Sequence, residues 1–136
     1  MADILSKAGR SALMRRIGAR DTKPELVVRS LLHRGGLRFR LHARELPGSP
    51  DIVLPRHRTV VFVHGCFWHR HAGCRLAYIP KSNLNFWQTK FDGNVRRDRR
   101  KADALRKSGW RVVTVWECQT KAPTRLEEKL KRAFKS

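Results

Sequence analysis

Acidic residues and cysteines are scarce in this sequence of 136 residues, and it has no long apolar run. Asp and Glu number 11 against 31 Lys and Arg, which gives a formal net charge of +20. No apolar stretch approaches the roughly 20 residues of a membrane-spanning helix, so we expect no membrane span. The 3 cysteines cannot all pair with one another, which excludes a fully paired disulfide framework. The first residues lack an apolar signal segment, and this predicts a cytoplasmic protein.

The excess of positive charge is larger than solubility requires. Hydrophobic residues make up 40% of the chain, which is enough to form a core and argues against a disordered chain. No internal repeat or linker interrupts the sequence, so we expect one domain over residues 1–136. A folded and strongly basic chain indicates a polyanionic partner, with nucleic acid favoured over an acidic membrane surface.

Hydrophobic periodicity alternates between helical and strand-like segments. Helical spacing predicts helices over residues 23–34, 85–91 and 94–108, and the capping-box pair Thr124 and Glu127 predicts a final helix. Alternating or β-branched segments predict strands over residues 37–41, 51–54, 59–63 and 110–117, and the 59–63 segment is apolar on both faces, as a central strand is. The element order α-β-β-β-α-β-α indicates an α/β fold, a mixed sheet with helices packed on it.

The strongest chemical signal is a loop that carries Cys66, His71 and Cys74 in the pattern C-x4-H-x2-C, with Cys118 at the end of a later strand. Three thiolates and one imidazole suit a closed tetrahedral Zn²⁺ site. His69 is the competing histidine ligand. The alternative interpretation is a set of small buried cysteines beside a surface histidine. Clustering in a polar loop broken by glycine favours zinc.

Acidic side chains mark a second site. Asp51 starts a strand just before the apolar central strand, where a carboxylate and a backbone carbonyl of the neighbouring strand could bind Mg²⁺ beside a scissile phosphate. The alternative for Asp51 is a turn residue. Glu25 is likewise open to two interpretations, because Thr22 and Glu25 have the spacing of a capping box.

Aromatic residues among basic ones form the third signal. Phe67 and Trp68 lie in the cysteine loop, and Phe86 and Trp87 precede a basic run over residues 96–101. Basic side chains neutralise phosphates, and planar side chains in a loop can stack on bases or wedge between them. We assign Phe86 and Trp110 to the core, and Phe67 and Trp68 to DNA recognition.

Several strings together resemble the very-short-patch-repair (Vsr) endonucleases: Leu-Pro-Gly-Ser-Pro-Asp at 46–51, Phe-Val-His-Gly-Cys-Phe-Trp-His at 62–69, and Val-Trp-Glu-Cys at 115–118. The resemblance covers nearly the whole chain. It implies a PD-(D/E)XK restriction-endonuclease-like core (αβββαβ) with a structural zinc. It also implies nicking of one DNA strand 5′ to the T of a T:G mismatch that arises when 5-methylcytosine deaminates.

The same resemblance implies a role for each site residue. Asp51 and the backbone carbonyl of Val63 would bind Mg²⁺, where many family members carry Thr in place of Val63. Glu25 would hold a water at the metal, His69 would act as general base, and His64 would assist at the phosphate. The zinc ligands would be Cys66, His71, Cys74 and Cys118. The predicted DNA contacts are Met14, Phe67, Trp68, Trp87, Asn94, Arg97, Arg99 and Arg100.

The sequence therefore predicts a Mg²⁺-dependent, zinc-stabilised enzyme that nicks mismatched double-stranded DNA as a monomer associated with the nucleoid. Two alternatives stay open. One is a zinc-stabilised DNA-binding module without catalysis, in which Asp51 and Glu25 are a turn residue and a cap. The other is a related nicking nuclease of broader substrate range.

Overall fold

A computed structural model describes residues 22–134, so the predicted DNA contact Met14 lies outside the described residues. Within that range the helices and strands follow the predicted order. They are α1 (Lys23–Arg34), β1 (Arg40–Leu41), β2 (Ile52–Leu54), β3 (Thr59–His64), α2 (Leu84–Lys107), β4 (Arg111–Trp116) and α3 (Pro123–Ala133), with 3-10 turns at Pro55–His57 and Glu117–Lys121. Across residues 22–134, no helix has the length and apolar character needed to cross a membrane.

The four strands form one mixed sheet in the order β1-β2-β3-β4. β1, β2 and β3 pair antiparallel, whereas β3 and β4 pair parallel, from Thr59 opposite Arg111 to His64 opposite Trp116. A parallel pair needs a crossover connection, and α2 lies in it. The segments that follow β3 and β4 therefore leave the sheet at the same edge.

Helices cover both faces of the sheet because side chains of successive strand residues point to opposite faces. On one face Ile52 and Val61 pack with Val28 of α1 and Leu126 of α3, all of them buried. On the other face the neighbouring strand residues Val53 and Val60 pack with Leu105 of α2. The predicted α/β fold with a mixed sheet is confirmed.

Two predicted elements differ from the structure. The strand expected over 37–41 is shorter in the structure and pairs with β2 only at Arg40 and Leu41. The two helices expected over 85–91 and 94–108 form one continuous helix. A glycine inside a helix costs only about 1 kcal/mol, so Gly93 does not break a helix that is anchored by the buried Phe91 and Leu105.

The predicted capping box at Thr124 and Glu127 is also wrong. α3 begins at Pro123 with Ala122 as its N-cap, and no side chain caps it. Proline is favoured at the first helical position because its missing N–H would have no partner there, so Pro123 sets the start of the helix.

Candidate active site

A Cys/His cluster lies where the segments after β3 and β4 meet. The potential ligand atoms of Cys66, His71, Cys74 and Cys118 all lie within 4.8 Å of one another. His71 Nδ1 is 3.7 Å from Cys66 Sγ and 3.4 Å from Cys118 Sγ. The backbone N–H of Cys118 donates to Cys66 Sγ over 3.3 Å. The competing ligand His69 lies in a different cluster, beside Asp98.

The donor chemistry of this cluster fits a thiophilic divalent cation. Burial raises the pKa of the Cys66 thiol to about 12, so the thiol stays neutral unless a cation stabilises its ionised form. Backbone hydrogen bonding, chiefly at Leu76, lowers the pKa of the Cys74 thiol. Sulfur and imidazole donors that converge on one point are typical of a structural zinc site. Isolated buried cysteines would not explain why His71 converges on the same point.

Two carboxylates, the buried Glu25 and the half-buried Asp51, meet beside β3. Asp51 precedes β2, and its Oδ2 accepts a 2.8 Å hydrogen bond from the backbone N–H of Val63. Glu25, in the first turn of α1, is 2% exposed and lies within the same cluster of potential ligand atoms as Asp51 and His42. The hydroxyl of Thr22 caps α1 by accepting from the Glu25 N–H, whereas the Glu25 carboxylate accepts from Arg29. The side chain of Glu25 therefore belongs to the carboxylate cluster.

Electrostatics show that the carboxylate pair suits a cation. Burial, with the negative charge of Glu25 added to it, raises the pKa of Asp51 to about 7. Two buried carboxylates that lie this close do not both ionise easily without a cation between them. Carboxylate and carbonyl oxygens are the donors that Mg²⁺ prefers. The site thus has the oxygen donors of a divalent-cation site, beside the ion pair of Glu25 and Arg29.

A glycine brings the segment before Asp51 close to α2. Gly48 has a φ of +74°, and a Cβ there would lie 2.6 Å from Cγ of Lys101. A side chain at this position would push the segment away from α2. Because Asp51 follows only three residues later, Gly48 helps to set the position of Asp51.

A histidine pair and an aspartate form the other half of the site. His69 Nδ1 lies 2.7 Å from Asp98 Oδ2 of α2. The imidazole of His64, at the end of β3, stacks on that of His69 with ring centroids 3.9 Å apart and planes 5° from parallel. Asp51 accepts from the N–H of Val63, and the next residue, His64, stacks on His69, so the two halves meet at the end of β3.

The ionisation of these groups defines what each can do. Burial raises the pKa of Asp98, but the hydrogen bond and charge of His69 outweigh burial and hold the pKa below its ordinary value. An ionised Asp98 accepts the Nδ1–H of His69 and leaves Nε2 as a proton acceptor. Burial, with the charge of His69 added, lowers the pKa of His64 to about 4, so His64 is neutral at neutral pH.

Three residues of this centre were not predicted from the sequence: His42, Arg29 and Asp98. Arg29 lies four residues after Glu25, one helical turn away. This i,i+4 spacing of an acidic and a basic residue is visible in the sequence and indicates an ion pair. Asp98 is separated from His69 by 29 residues, and only the continuous helix α2 brings the two together. For His42 the sequence offers no signal, since its position depends on the turn after β1.

An aromatic cluster lies next to the histidine pair. Phe67 is at its centre, with ring centroids 5.1 Å from Trp68, 5.7 Å from Trp87 and 5.2 Å from Phe91. Trp68 is 42% exposed, as a base-contacting residue must be. Phe86 was expected in the core but is 55% exposed, because the inward position on this part of α2 is taken by Phe91. Trp110 packs against the core as expected.

The predicted polar DNA contacts lie on α2. Asn94 donates to the backbone carbonyl of Trp68 over 3.1 Å and accepts from Arg97, so both residues support the aromatic loop. Arg99 and Arg100 are exposed on the same helix. These basic side chains lie on the same helix as Trp87 of the aromatic cluster and Asp98, the partner of His69.

Buried carboxylates, an oriented histidine and a basic surface are together typical of an enzyme that cleaves phosphodiester bonds. Comparison with known proteins agrees. The model of the family described as DNA mismatch endonuclease Vsr matches residues 2–75. The chain belongs to this Vsr family, which confirms the resemblance drawn from the sequence.

Three relatives show how far the similarity extends. The chain is 51% identical over 131 residues to the type II nicking enzyme V.XorIIP of Xanthomonas oryzae pv. oryzae, covering 96% of each protein. It is 46% identical over 128 residues to the DNA mismatch endonuclease Vsr of Escherichia coli, covering 94% of this chain and 81% of the relative. It is 43% identical over 132 residues to the type II nicking enzyme V.NmeAIP of Neisseria meningitidis, covering 97% and 94%.

The raised pKa of Asp51 predicts a pH-dependent loss of stability. The folded state holds the proton up to about pH 7, whereas the unfolded chain releases it near the ordinary value of 3.8. Stability is therefore fully present below that ordinary value and is lost as the pH rises towards 7. In buffer without added Mg²⁺, Asp51→Asn should be more stable than wild type by roughly 2–4 kcal/mol at pH 8, and the difference should vanish near pH 4.

Urea unfolding at both pH values measures this difference. Asp103→Asn, at an exposed position on α2, is the matched control and should shift stability little at either pH. A stability gain from Asp51→Asn that is the same at pH 4 and pH 8 would contradict the assignment of a buried, protonated Asp51.

Proposed function

We propose that the chain is a DNA mismatch endonuclease that nicks one strand of duplex DNA 5′ to the T of a T:G mismatch by Mg²⁺-dependent hydrolysis. The observation that carries the proposal is the convergence, at one sheet edge, of the half-buried Asp51 carboxylate and the His69–Asp98 pair. The pKa of Asp51 is raised to about 7, so ionisation of this carboxylate destabilises the folded protein. A purely DNA-binding module has no need for such a group, whereas an active site does. The strong identity to nicking and mismatch endonucleases supports the same conclusion.

Asp51 and the backbone carbonyl of Val63 are the proposed Mg²⁺ ligands. The N–H and C=O of a strand residue point to the same side of the strand, and the Val63 N–H points at Asp51. The Val63 carbonyl therefore faces Asp51, and a valine serves as well as a threonine. When bound, Mg²⁺ supplies positive charge to the phosphate oxygens as negative charge develops on them.

Proton transfer is assigned to His69. Asp98 fixes its tautomer and ring orientation, so Nε2 can take a proton from the attacking water. His64 is held neutral and stacked on His69, which leaves it one N–H to donate to a phosphate oxygen. Glu25, held by Arg29, is placed to orient the water beside Asp51.

The cysteine cluster is the proposed structural zinc site, with Cys66, His71, Cys74 and Cys118 as ligands. The proposed fold is the αβββαβ core of a PD-(D/E)XK nuclease, in one domain over residues 1–136.

We propose that Phe67, Trp68 and Trp87 wedge beside the mismatch, because unstacking a mispaired step costs less than unstacking a paired one. Arg97, Arg99 and Arg100 would contact phosphates, Asn94 would support the wedge, and the enzyme would act as a cytoplasmic monomer at the nucleoid.

Two duplexes that differ only in a T:G or a C:G pair test the function. With Mg²⁺ present, we expect a single nick 5′ to the T in the T:G duplex and none in the C:G duplex, mapped on denaturing gels with each strand labelled in turn. Binding without nicking would instead identify a DNA-binding module. Nicking of both duplexes would identify a nuclease of broader range.

Substitutions separate the catalytic roles from structural ones. Asp51→Asn should abolish nicking and keep DNA binding, because it removes charge and preserves shape. Asp98→Asn should lower kcat by about 10²–10⁴-fold, since the base loses its orientation and its tautomer. Asp103→Asn, on the same helix and exposed, is the control and should nick at the wild-type rate. Wild-type kcat in Asp98→Asn would contradict the role of His69 as an oriented base.

Zinc removal tests the metal centre. The purified protein should contain one equivalent of zinc, and Cys74→Ser should lose it together with several kcal/mol of stability, because metal binding is coupled to folding. A loss of about 4 kcal/mol would lower Tm by roughly 10 °C or more. Ala72→Ser, an exposed change in the same loop, is the control and should retain both zinc and Tm. Full zinc content in Cys74→Ser would remove that ligand from the set.

A further inference from the structure

Arg70 makes an unusual set of contacts inside the loop that carries the aromatic residues. Its Nη1 donates to the backbone carbonyl of Phe67 over 3.0 Å and to that of Tyr78 over 3.2 Å. Its Nη2 donates to the carbonyls of Ala77 over 2.8 Å and of Tyr78 over 3.3 Å. One side chain therefore joins the beginning and the end of the segment from 67 to 78.

The same guanidinium also joins the loop to α2. It lies 3.9 Å from the ring centroid of Phe91 and 5.5 Å from that of Phe67. Phe91 is 5% exposed, so its ring is held in place by the packing around it. Arg70 itself has a φ of +55°, a left-handed conformation that costs energy outside glycine and turns the side chain into the loop.

Besides Arg70, this segment is folded by short turn hydrogen bonds, such as that from the N–H of Cys74 to the carbonyl of His71, and by the contact of Asn94 with Trp68. Between β3 and α2 the chain forms turns and bends and has no helix or strand. The rings it presents are nevertheless in contact, with the Phe67 and Tyr78 centroids 4.9 Å apart and those of Trp68 and Trp87 5.7 Å apart. Tyr78 is 62% exposed, so burial does not hold it there.

We propose that Arg70 is a positioning residue for mismatch recognition, which holds the aromatic loop in the shape that a wedge requires. This inference rests on the proposed function. Both terminal nitrogens donate to backbone carbonyls of the loop. Arg70 therefore stabilises the loop and does not act as a phosphate contact. Lysine cannot replace it, because one ammonium lacks the planar fork that spans several carbonyls and stacks on a ring.

Arg70→Lys tests the proposal while it preserves charge. We expect a changed near-UV circular dichroism spectrum, because that signal reports the packing of the aromatic rings. The ratio of affinities for T:G and C:G duplexes should fall about tenfold, which corresponds to about 1.4 kcal/mol. The slope of affinity against salt concentration should not change, since the number of cations is the same. Arg75→Lys, at an exposed position in the same loop, is the control and should match wild type in every measurement. Trp68→Ala is the reference for loss of one wedge ring.

The outcomes distinguish a role of Arg70 in positioning the aromatic loop from a role in folding alone. A folded Arg70→Lys with full zinc content whose ratio of T:G to C:G affinities stays at the wild-type value would overturn the proposal, whatever its near-UV spectrum. If Arg70→Lys loses zinc or unfolds, Arg70→Gln is measured in the same way, and the same loss there would make Arg70 a folding residue and overturn the proposal too. A wild-type protein without T:G preference would refute the proposed function, whereas the near-UV spectra would still decide whether Arg70 holds the rings.

Discussion

The parallel pairing of β3 with β4 is the constraint on which the rest of the site depends. Its register ends with His64 opposite Trp116, so Cys66 and Cys118 follow two residues later on each strand and meet at one edge. A parallel pair also requires a long connection, and the helix in it delivers Asp98 to His69. A sheet whose last two strands paired antiparallel would place the end of β4 at the opposite edge and separate these groups.

A column of rings connects the cysteine cluster to the proposed general base. His71 stacks on Trp116 with centroids 4.3 Å apart, Trp116 meets His64 edge to face at 5.4 Å, and His64 stacks on His69 at 3.9 Å. Each ring limits the movement of the next, since stacked and edge-to-face contacts are favourable only within a narrow range of geometries. The loop that holds the proposed zinc ligands therefore also orients the imidazole of the proposed general base, and the cysteine cluster and the histidine pair are parts of one packed unit.

Local patterns could be predicted from the sequence, but contacts between distant segments could not. The bounds of α1 and the buried strand β3 follow from apolar periodicity, and Asp51, His64, His69 and the cysteine cluster follow from short motifs. The partner of His69 depends on whether the chain around Gly93 stays helical, and this is decided by the burial of Phe91 and Leu105. Phe86 was misplaced for a related reason, because composition does not say which of two adjacent aromatic positions on a helix faces inward.

The carboxylate cluster brings two acidic side chains together in a molecule that is otherwise strongly basic. A chain of net charge +20 attracts DNA but repels Mg²⁺, so a divalent cation needs a local concentration of negative charge to bind. Glu25 and Asp51 provide it in a place where burial strengthens every electrostatic interaction. Ionisation of both carboxylates would set them against each other and would also repel an approaching phosphodiester, which is itself an anion. A bound cation of the kind proposed would relieve both repulsions, and this is the physical reason why an acidic centre in a basic DNA-binding protein favours a metal-dependent reaction.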